Sequence, residues 1–286
     1  MNALSMSGVV KRYGSTVAVA GLDLDVAAGS LLGLIGPNGA GKSTTLAMAA
    51  TLTRATEGSI EVLGVDAIAE PREVRRRVGF MPDQMGFYDD MTVDDYLLFF
   101  ADAHEIPRKE RPALIDNLLE LVELGPLRER PVAALSRGQS QRLGIGRVLV
   151  HDPELLLLDE PASGLDPVAR ADLLDLLRQL RDLGKTIVIS THILSELEPI
   201  CTEVAVMAAG RVVAIGAPDE LRTEPDPTRT IQVRFADGTG ETFTVVDDEE
   251  QEALLRRLVA DDSRPVLEFE RTHRGLAALF EREVAE

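Results

Sequence analysis

The sequence predicts an α/β fold built on a mixed sheet whose central strands are buried on both faces. Three observations carry this expectation. Leu31 to Ile35, Leu155 to Leu158 and Thr186 to Ser190 are short, almost wholly apolar runs, too short for helices and unbroken in the way of strands covered on both faces. Helix-forming stretches separate them. A glycine-rich loop, Gly36-Pro37-Asn38-Gly39-Ala40-Gly41-Lys42-Ser43-Thr44, joins the first run to the good helix former Thr45 to Ala50.

That loop fits the pattern G-x-x-x-x-G-K-S between a strand and a helix, which is the context a phosphate loop requires. Glycines let successive backbone N–H groups curl around a phosphate without side-chain clash. The helix start adds N–H donors that have no intrahelical partner. Lys42 is placed to reach β- and γ-phosphates, and the Ser43 hydroxyl to sit on a divalent cation.

Whole-chain composition narrows the class. The chain has 286 residues, 48 acidic against 30 basic, and a formal charge of −18. Such a field disfavours nucleic-acid binding, which rests on Lys/Arg contacts to phosphates. One cysteine, Cys201, excludes an intramolecular disulfide; beside Ile200 and Val204 it reads as an inert buried thiol. The N-terminus lacks the plan of a signal peptide. No stretch reaches the roughly 18 apolar residues of a membrane span. A cytoplasmic protein is expected, with any membrane contact made through a partner.

In chain order, residues 4 to 26 read as two strands around Tyr13-Gly14-Ser15, the second alternating Leu22, Leu24 and Val26 with Asp23 and Asp25. Tyr13 stands where a ring can stack on a purine. Glu57-Gly58-Ser59 reads as a turn into a strand from Ile60 to Leu63. Pro71 opens a short helix carrying the basic cluster Arg72 to Arg77. Residues 92 to 124 read as helical, broken at Ile106-Pro107, with a second helix from about Pro112 to Leu124. Together they make a helical subdomain over about residues 85–150.

Ser136 in Leu135-Ser136-Arg137-Gly138-Gln139 is an expected N-cap. Asp159 and Glu160 stand at the carboxyl end of the Leu155 run, where ligands bind in open α/β sheets. Ser163-Gly164-Leu165-Asp166 turns into a helix from about Val168 to Leu183. His192 follows the Thr186 strand. A hairpin around Ala209-Gly210 follows, then a proline linker at 223–227. Residues 228–286 form a smaller α+β unit: strands around Ile231 and Phe243 joined by Asp237-Gly238, a helix with Leu254, Leu255 and Leu258, a strand from Pro265 to Phe269, and an end helix with Leu276 and Phe280.

The order and spacing of these segments resemble an ABC-type ATPase. Gly36 to Thr44 is similar to its Walker A loop, Leu135 to Arg142 to its signature, Leu155 to Pro161 to its Walker B strand, Ser163 to Asp166 to its D-loop, and His192 to its switch histidine. The resemblance covers residues 4 to about 220, so the expected ATP-binding domain is 1–222. It is strongest to the ATP-binding subunits of bacterial exporters of the drug-resistance or ABC-2 kind, and the tail Gly275 to Phe280 is similar to theirs.

The resemblance implies ATP and Mg²⁺ as ligands. Tyr13 would stack on adenine, and residues Gly36, Pro37, Asn38, Gly39, Ala40, Gly41, Lys42, Ser43 and Thr44 would hold the triphosphate. Ser43 and Asp159 would hold Mg²⁺, Glu160 would act as base or orient the water, and His192 would sense the γ-phosphate. Ser136, Gly138 and Gln139, with Asp166, would complete the site of a second copy. That copy and a membrane permease are the implied partners, at the inner face of the cell membrane. A non-transport ABC ATPase is the alternative; the charge and the lack of coiled-coil arms disfavour its nucleic-acid versions.

Two departures stand out. Arg137 occupies a position the family usually gives to glycine. After Val78-Gly79-Phe80-Met81-Pro82 the family places a glutamine that reaches Mg²⁺; here Asp83 holds that register and Gln84 follows. Asp83 is the preferred ligand, Gln84 serves if the loop bulges by one residue, and the remaining option is that neither reaches the metal.

Overall fold

The computed structural model describes residues 1–86, 90–193, 197, 199–222, 229–236, 239–260 and 263–272. It divides into two compact units, Met1–Pro218 and Asp219–Glu286. The linker 223–227, the Asp237-Gly238 turn and the end helix expected around Leu276 and Phe280 lie outside the described residues.

The first unit is centred on a six-stranded sheet. In chain order its strands are β3 (Leu31–Ile35), β6 (Val78–Met81), β7 (Leu155–Asp159), β8 (Thr186–Thr191), β9 (Glu203–Ala208) and β10 (Arg211–Gly216), arranged β10-β9-β3-β8-β7-β6. All neighbours are parallel except the β9–β10 hairpin. Every residue of β3, β7 and β8 is buried, which explains their uninterrupted apolar sequence: neither face meets water. A second sheet is antiparallel, in the order β2-β1-β4-β5, from β1 (Asn2–Tyr13), β2 (Thr16–Ala27), β4 (Glu57–Val62) and β5 (Val65–Asp66). Leu22, Leu24 and Val26 face inward from β2, as their alternation requires.

Helices α1 (Lys42–Ala49), α2 (Pro71–Arg77), α3 (Val93–Ala103), α4 (Arg111–Leu121), α5 (Arg137–Leu149) and α6 (Pro167–Asp182) complete this unit's main elements. Thr92 caps α3 through a reciprocal capping box with Asp95. The stripe Val93, Tyr96 and Leu97 is buried in one core with Ile115 and Leu119 of α4 and Leu143 and Ile145 of α5. Phe100 packs at its edge, its ring 5.0 Å from Tyr96.

Three boundaries differ from expectation. Glu57-Gly58-Ser59 is not a turn but the start of β4. Gly58 sits at φ +87, and a Cβ there would lie 2.6 Å from the Gly8 carbonyl oxygen. The strands approach closely at a bulge in the β1–β4 register. Helix α4 stops at Leu121 because Glu123 adopts φ 55, although Val122 and Leu124 remain buried. The last strand of the second unit, β13 (Val266–Thr272), runs past Phe269.

That second unit, by itself, is a three-stranded antiparallel sheet in the order β12-β11-β13, with β11 (Arg229–Phe235), β12 (Gly240–Val245) and a helix at Asp248–Val259. Ile231, Val233 and Phe235 form its core with Val245 and Leu254. Among the described residues no helix is long and apolar enough to cross a membrane.

Candidate active site

Strands β3, β8 and β7 are adjacent and parallel, so their carboxyl ends open side by side. The glycine loop leaves the end of β3, Asp159 and Glu160 the end of β7, and His192 the end of β8. Sheet topology therefore gathers residues more than a hundred positions apart in sequence.

The loop is held tightly. A Cβ on Gly36 would meet the Met207 carbonyl oxygen at 2.4 Å. Gly41, at φ +102, would place one 2.5 Å from the Ala18 carbonyl oxygen. Only glycine fits either position. Gly41 is also the N-cap of α1, and no side chain caps that helix. Its first-turn N–H groups are thus left to whatever enters the loop, an arrangement that suits an anion. At Gly39, φ +85, nothing lies within 4 Å of a Cβ, so the crest of the loop is open.

Lys42 is 5% exposed. Its ammonium donates to the Gly36 carbonyl oxygen at 2.7 Å and the Pro37 carbonyl oxygen at 3.2 Å, and stands 3.6 Å from Glu160 Oε1. Burial lowers its pKa below the usual lysine value, opposed by the charge and hydrogen bonding of Glu160 and then by the charge of Asp159. Asp159 is buried, and its Oδ1 accepts a 2.6 Å hydrogen bond from the Ser190 hydroxyl. Glu160 adopts φ 47, a backbone conformation costing a non-glycine residue about 1–3 kcal/mol. Its N–H donates to Ser190 Oγ at 2.9 Å, and its Oε2 lies 3.0 Å from His192 Nδ1.

Ser190 is the residue that sequence reasoning missed. It pairs directly with Asp159 in the β7–β8 register, and its one hydroxyl donates to the Asp159 carboxylate while accepting from the Glu160 backbone N–H. A serine directly after the apolar run Ile187 to Ile189, still inside the buried strand, was the available signal.

The remaining predicted residues are placed by their own elements. Ser136 caps α5 in a box with Gln139: the Ser136 N–H donates to Gln139 Oε1 at 2.9 Å and the Gln139 N–H to Ser136 Oγ at 3.3 Å. Asp166 caps α6 by accepting from the N–H groups of Val168 and Ala169. Tyr13 is 51% exposed, with the Lys11 ammonium 4.7 Å from its ring centroid. Asp83 and Gln84 follow β6 and are both exposed. Ser43 and Thr44, at the start of α1, complete the loop. Cys201 is largely buried against Gly33, and burial pushes its thiol pKa up to about 12, away from the reactive thiolate.

A phosphate-cradling loop with a buried lysine, facing two acids and a histidine across a parallel sheet, defines a P-loop nucleoside triphosphatase. Comparison with known proteins refines the class. The family model described as ABC transporter matches residues 19–163. A Nod factor export ATP-binding protein I of Rhizobium meliloti is 40% identical over 231 residues, covering 81% of this chain and 69% of the relative. A daunorubicin resistance ATP-binding protein, DrrA3, of Streptomyces coeruleorubidus is 38% identical over 222 residues, covering 78% and 70%. Among solved structures, cbiO1 from Clostridium perfringens, described as part of the ABC transporter complex cbiONQ, superposes with a TM-score of 0.71 at 30% identity, covering 78% of this chain and 91% of that one. The chain belongs to the ABC transporter family, as an ATP-binding, ATP-hydrolysing subunit.

Proposed function

We propose that this ATPase drives an export permease by closing on ATP as a two-fold dimer at the inner face of the membrane. The convergence of Lys42, Asp159, Glu160 and His192 at the ends of β3, β7 and β8 supports the hydrolytic half of this reading. The export half follows the relatives, which are export and drug-resistance subunits over most of their length.

The chemistry requires positioning more than covalent work. Lys42 already lies between the loop carbonyls and Glu160, so a γ-phosphate draws its ammonium from the carboxylate. Glu160, freed of that contact, orients the attacking water and takes its proton. His192, hydrogen-bonded to Glu160, reports on the γ-phosphate. The Ser43 hydroxyl and the Asp159 carboxylate are hard oxygen donors suited to Mg²⁺, which when bound neutralises charge on the β- and γ-phosphates. Tyr13, exposed, supplies a face for adenine. Ser136, Gly138 and Gln139 of one copy close on the nucleotide of the other, with Asp166 nearby in the shared site.

Coupling to a permease is tested by membrane fractionation. The chain should sediment with membranes only when a membrane protein that serves as its export permease is co-expressed. Identical sedimentation without that protein would overturn the coupling.

Asp83 is proposed as the further Mg²⁺ contact. A carboxylate serves the metal well but adds negative charge near the triphosphate, tolerable only while Mg²⁺ is bound. Asp83→Ala should raise the Mg²⁺ concentration needed for half-maximal hydrolysis, with Gln84→Ala near wild type. A shift confined to Gln84→Ala assigns the contact to Gln84 instead.

A further inference from the structure

Arg137, the departure from the signature pattern, packs in a way its sequence position does not suggest. It is the first residue of α5 and its side chain is exposed, yet it reaches the turn that follows Glu160. A Cβ built on Gly164 would lie 2.8 Å from Arg137 Cζ, 3.0 Å from Nη1 and 3.1 Å from Nε. Three guanidinium atoms at nearly equal distance mean that the plane lies face-on over the glycine. Gly164 itself sits at φ +67. A side chain there is strained by the left-handed backbone and would push the guanidinium aside.

The turn under Arg137 leads straight back to the catalytic acid. The Ser163 N–H donates to the Glu160 carbonyl oxygen at 3.1 Å, and the Leu165 N–H to that of Ala162 at 3.3 Å. Asp166 then starts α6, and Arg170 holds the Leu165 carbonyl oxygen at 3.3 Å. From Glu160 to Asp166 the chain is a set of short linked turns, so a displacement at Gly164 is carried to Glu160 within a few residues. At the other end, Arg137 lies between Ser136 and Gly138, the residues proposed to meet the second copy's nucleotide.

We propose that Arg137 is a positioning residue for hydrolysis: its guanidinium, laid on Gly164, makes the start of α5 and the turn after Glu160 in the same protomer move as one. This rests on the reading of Glu160 as the residue that orients the attacking water. Docking of Ser136 and Gly138 on nucleotide then sets the backbone of Glu160 through a side-chain contact, without a new bond to ATP from Arg137 itself. Arginine is required in place of lysine because the contact is made by a flat face, not by a charge.

The test is a double-mutant cycle on steady-state ATP hydrolysis by the full chain, using Arg137→Ala, Gly164→Ala and the double variant. Both single changes separate the same two surfaces. Each should lower kcat while KM for ATP stays within roughly twofold, the signature of a step after binding. The double variant should retain about 3–10 times more activity than the product of the single effects predicts, the non-additivity of residues in contact. Backbone strain from Gly164→Ala is common to both backgrounds and cancels. Arg137→Lys should remain as slow as Arg137→Ala. Multiplicative single effects, a raised KM with unchanged kcat, or full recovery with lysine would each overturn the proposal, the last two by showing a phosphate or charge role. ATP affinity and melting temperature confirm that the variants are folded. Glu160→Gln, run alongside, separates the two readings: if it hydrolyses ATP normally, the role of Glu160 fails, whereas if it is inactive and the cycle is multiplicative, only the Arg137 coupling fails.

Discussion

Glu160→Gln is expected to bind ATP as the wild type does and to hydrolyse it about 10²–10⁴ times more slowly, the usual worth of a positioned base. In barrier terms this is about 3–5 kcal/mol. The substitution keeps the volume of the side chain and the N–H that donates to Ser190 Oγ, so the constrained backbone at φ 47 has no new reason to relax. An amide can still meet His192 Nδ1 across 3.0 Å. What disappears is the charge that faces Lys42 at 3.6 Å and the capacity to accept a proton. Binding should therefore hold or tighten, since Lys42 no longer has a carboxylate competing with the γ-phosphate. With hydrolysis blocked, the ATP-bound dimer should accumulate and be visible by gel filtration. A variant that turns over at near wild-type rate would remove Glu160 from the role.

The sheet and the nucleotide loop were legible because their causes are local. A strand buried on both faces has to be apolar throughout, and β3, β7 and β8 are. A loop that wraps a phosphate has to contain glycine where the Met207 and Ala18 carbonyls press on Gly36 and Gly41, and the motif records that pressure. The start of β4 was not legible, because Gly58 marks a close approach to Gly8 across the sheet and glycine in sequence looks the same in a turn. The end of α4 was missed because Val122 and Leu124 continue the apolar pattern while Glu123 leaves the helix. Burial persisted where helical geometry did not. Within the site, Ser190 and the Arg137–Gly164 contact escaped for one reason. Each depends on which distant residue lies alongside, and only the β7–β8 register and the α5 start reveal that.

Gly138→Asp is expected to leave ATP binding by the single chain intact and to abolish cooperative hydrolysis. Gly138 is the second residue of α5, and a carboxylate in the first turn of a helix is favourable to the helix itself, by about 0.3–1 kcal/mol. Local folding therefore does not explain a loss. A Cβ here would lie 3.1 Å from Ala169 Cβ in α6, a tight contact that a small shift of either helix relieves. Gly138→Ala isolates that steric part, since it carries the same Cβ and no charge, and should cost hydrolysis far less than Asp does. The carboxylate differs in what it meets when the second copy closes. Set about 4 Å from a γ-phosphate at an effective dielectric near 20, it opposes closure by about 4 kcal/mol per unit of charge. That corresponds to roughly a 10³-fold loss. Rates measured against ATP and protein concentration decide the matter: the expected result is wild-type ATP affinity, a modest effect of alanine, and no dimer-dependent rate with aspartate. Normal cooperativity in the aspartate variant would mean that Gly138 never faces a phosphate, and the shared-site arrangement would have to be abandoned.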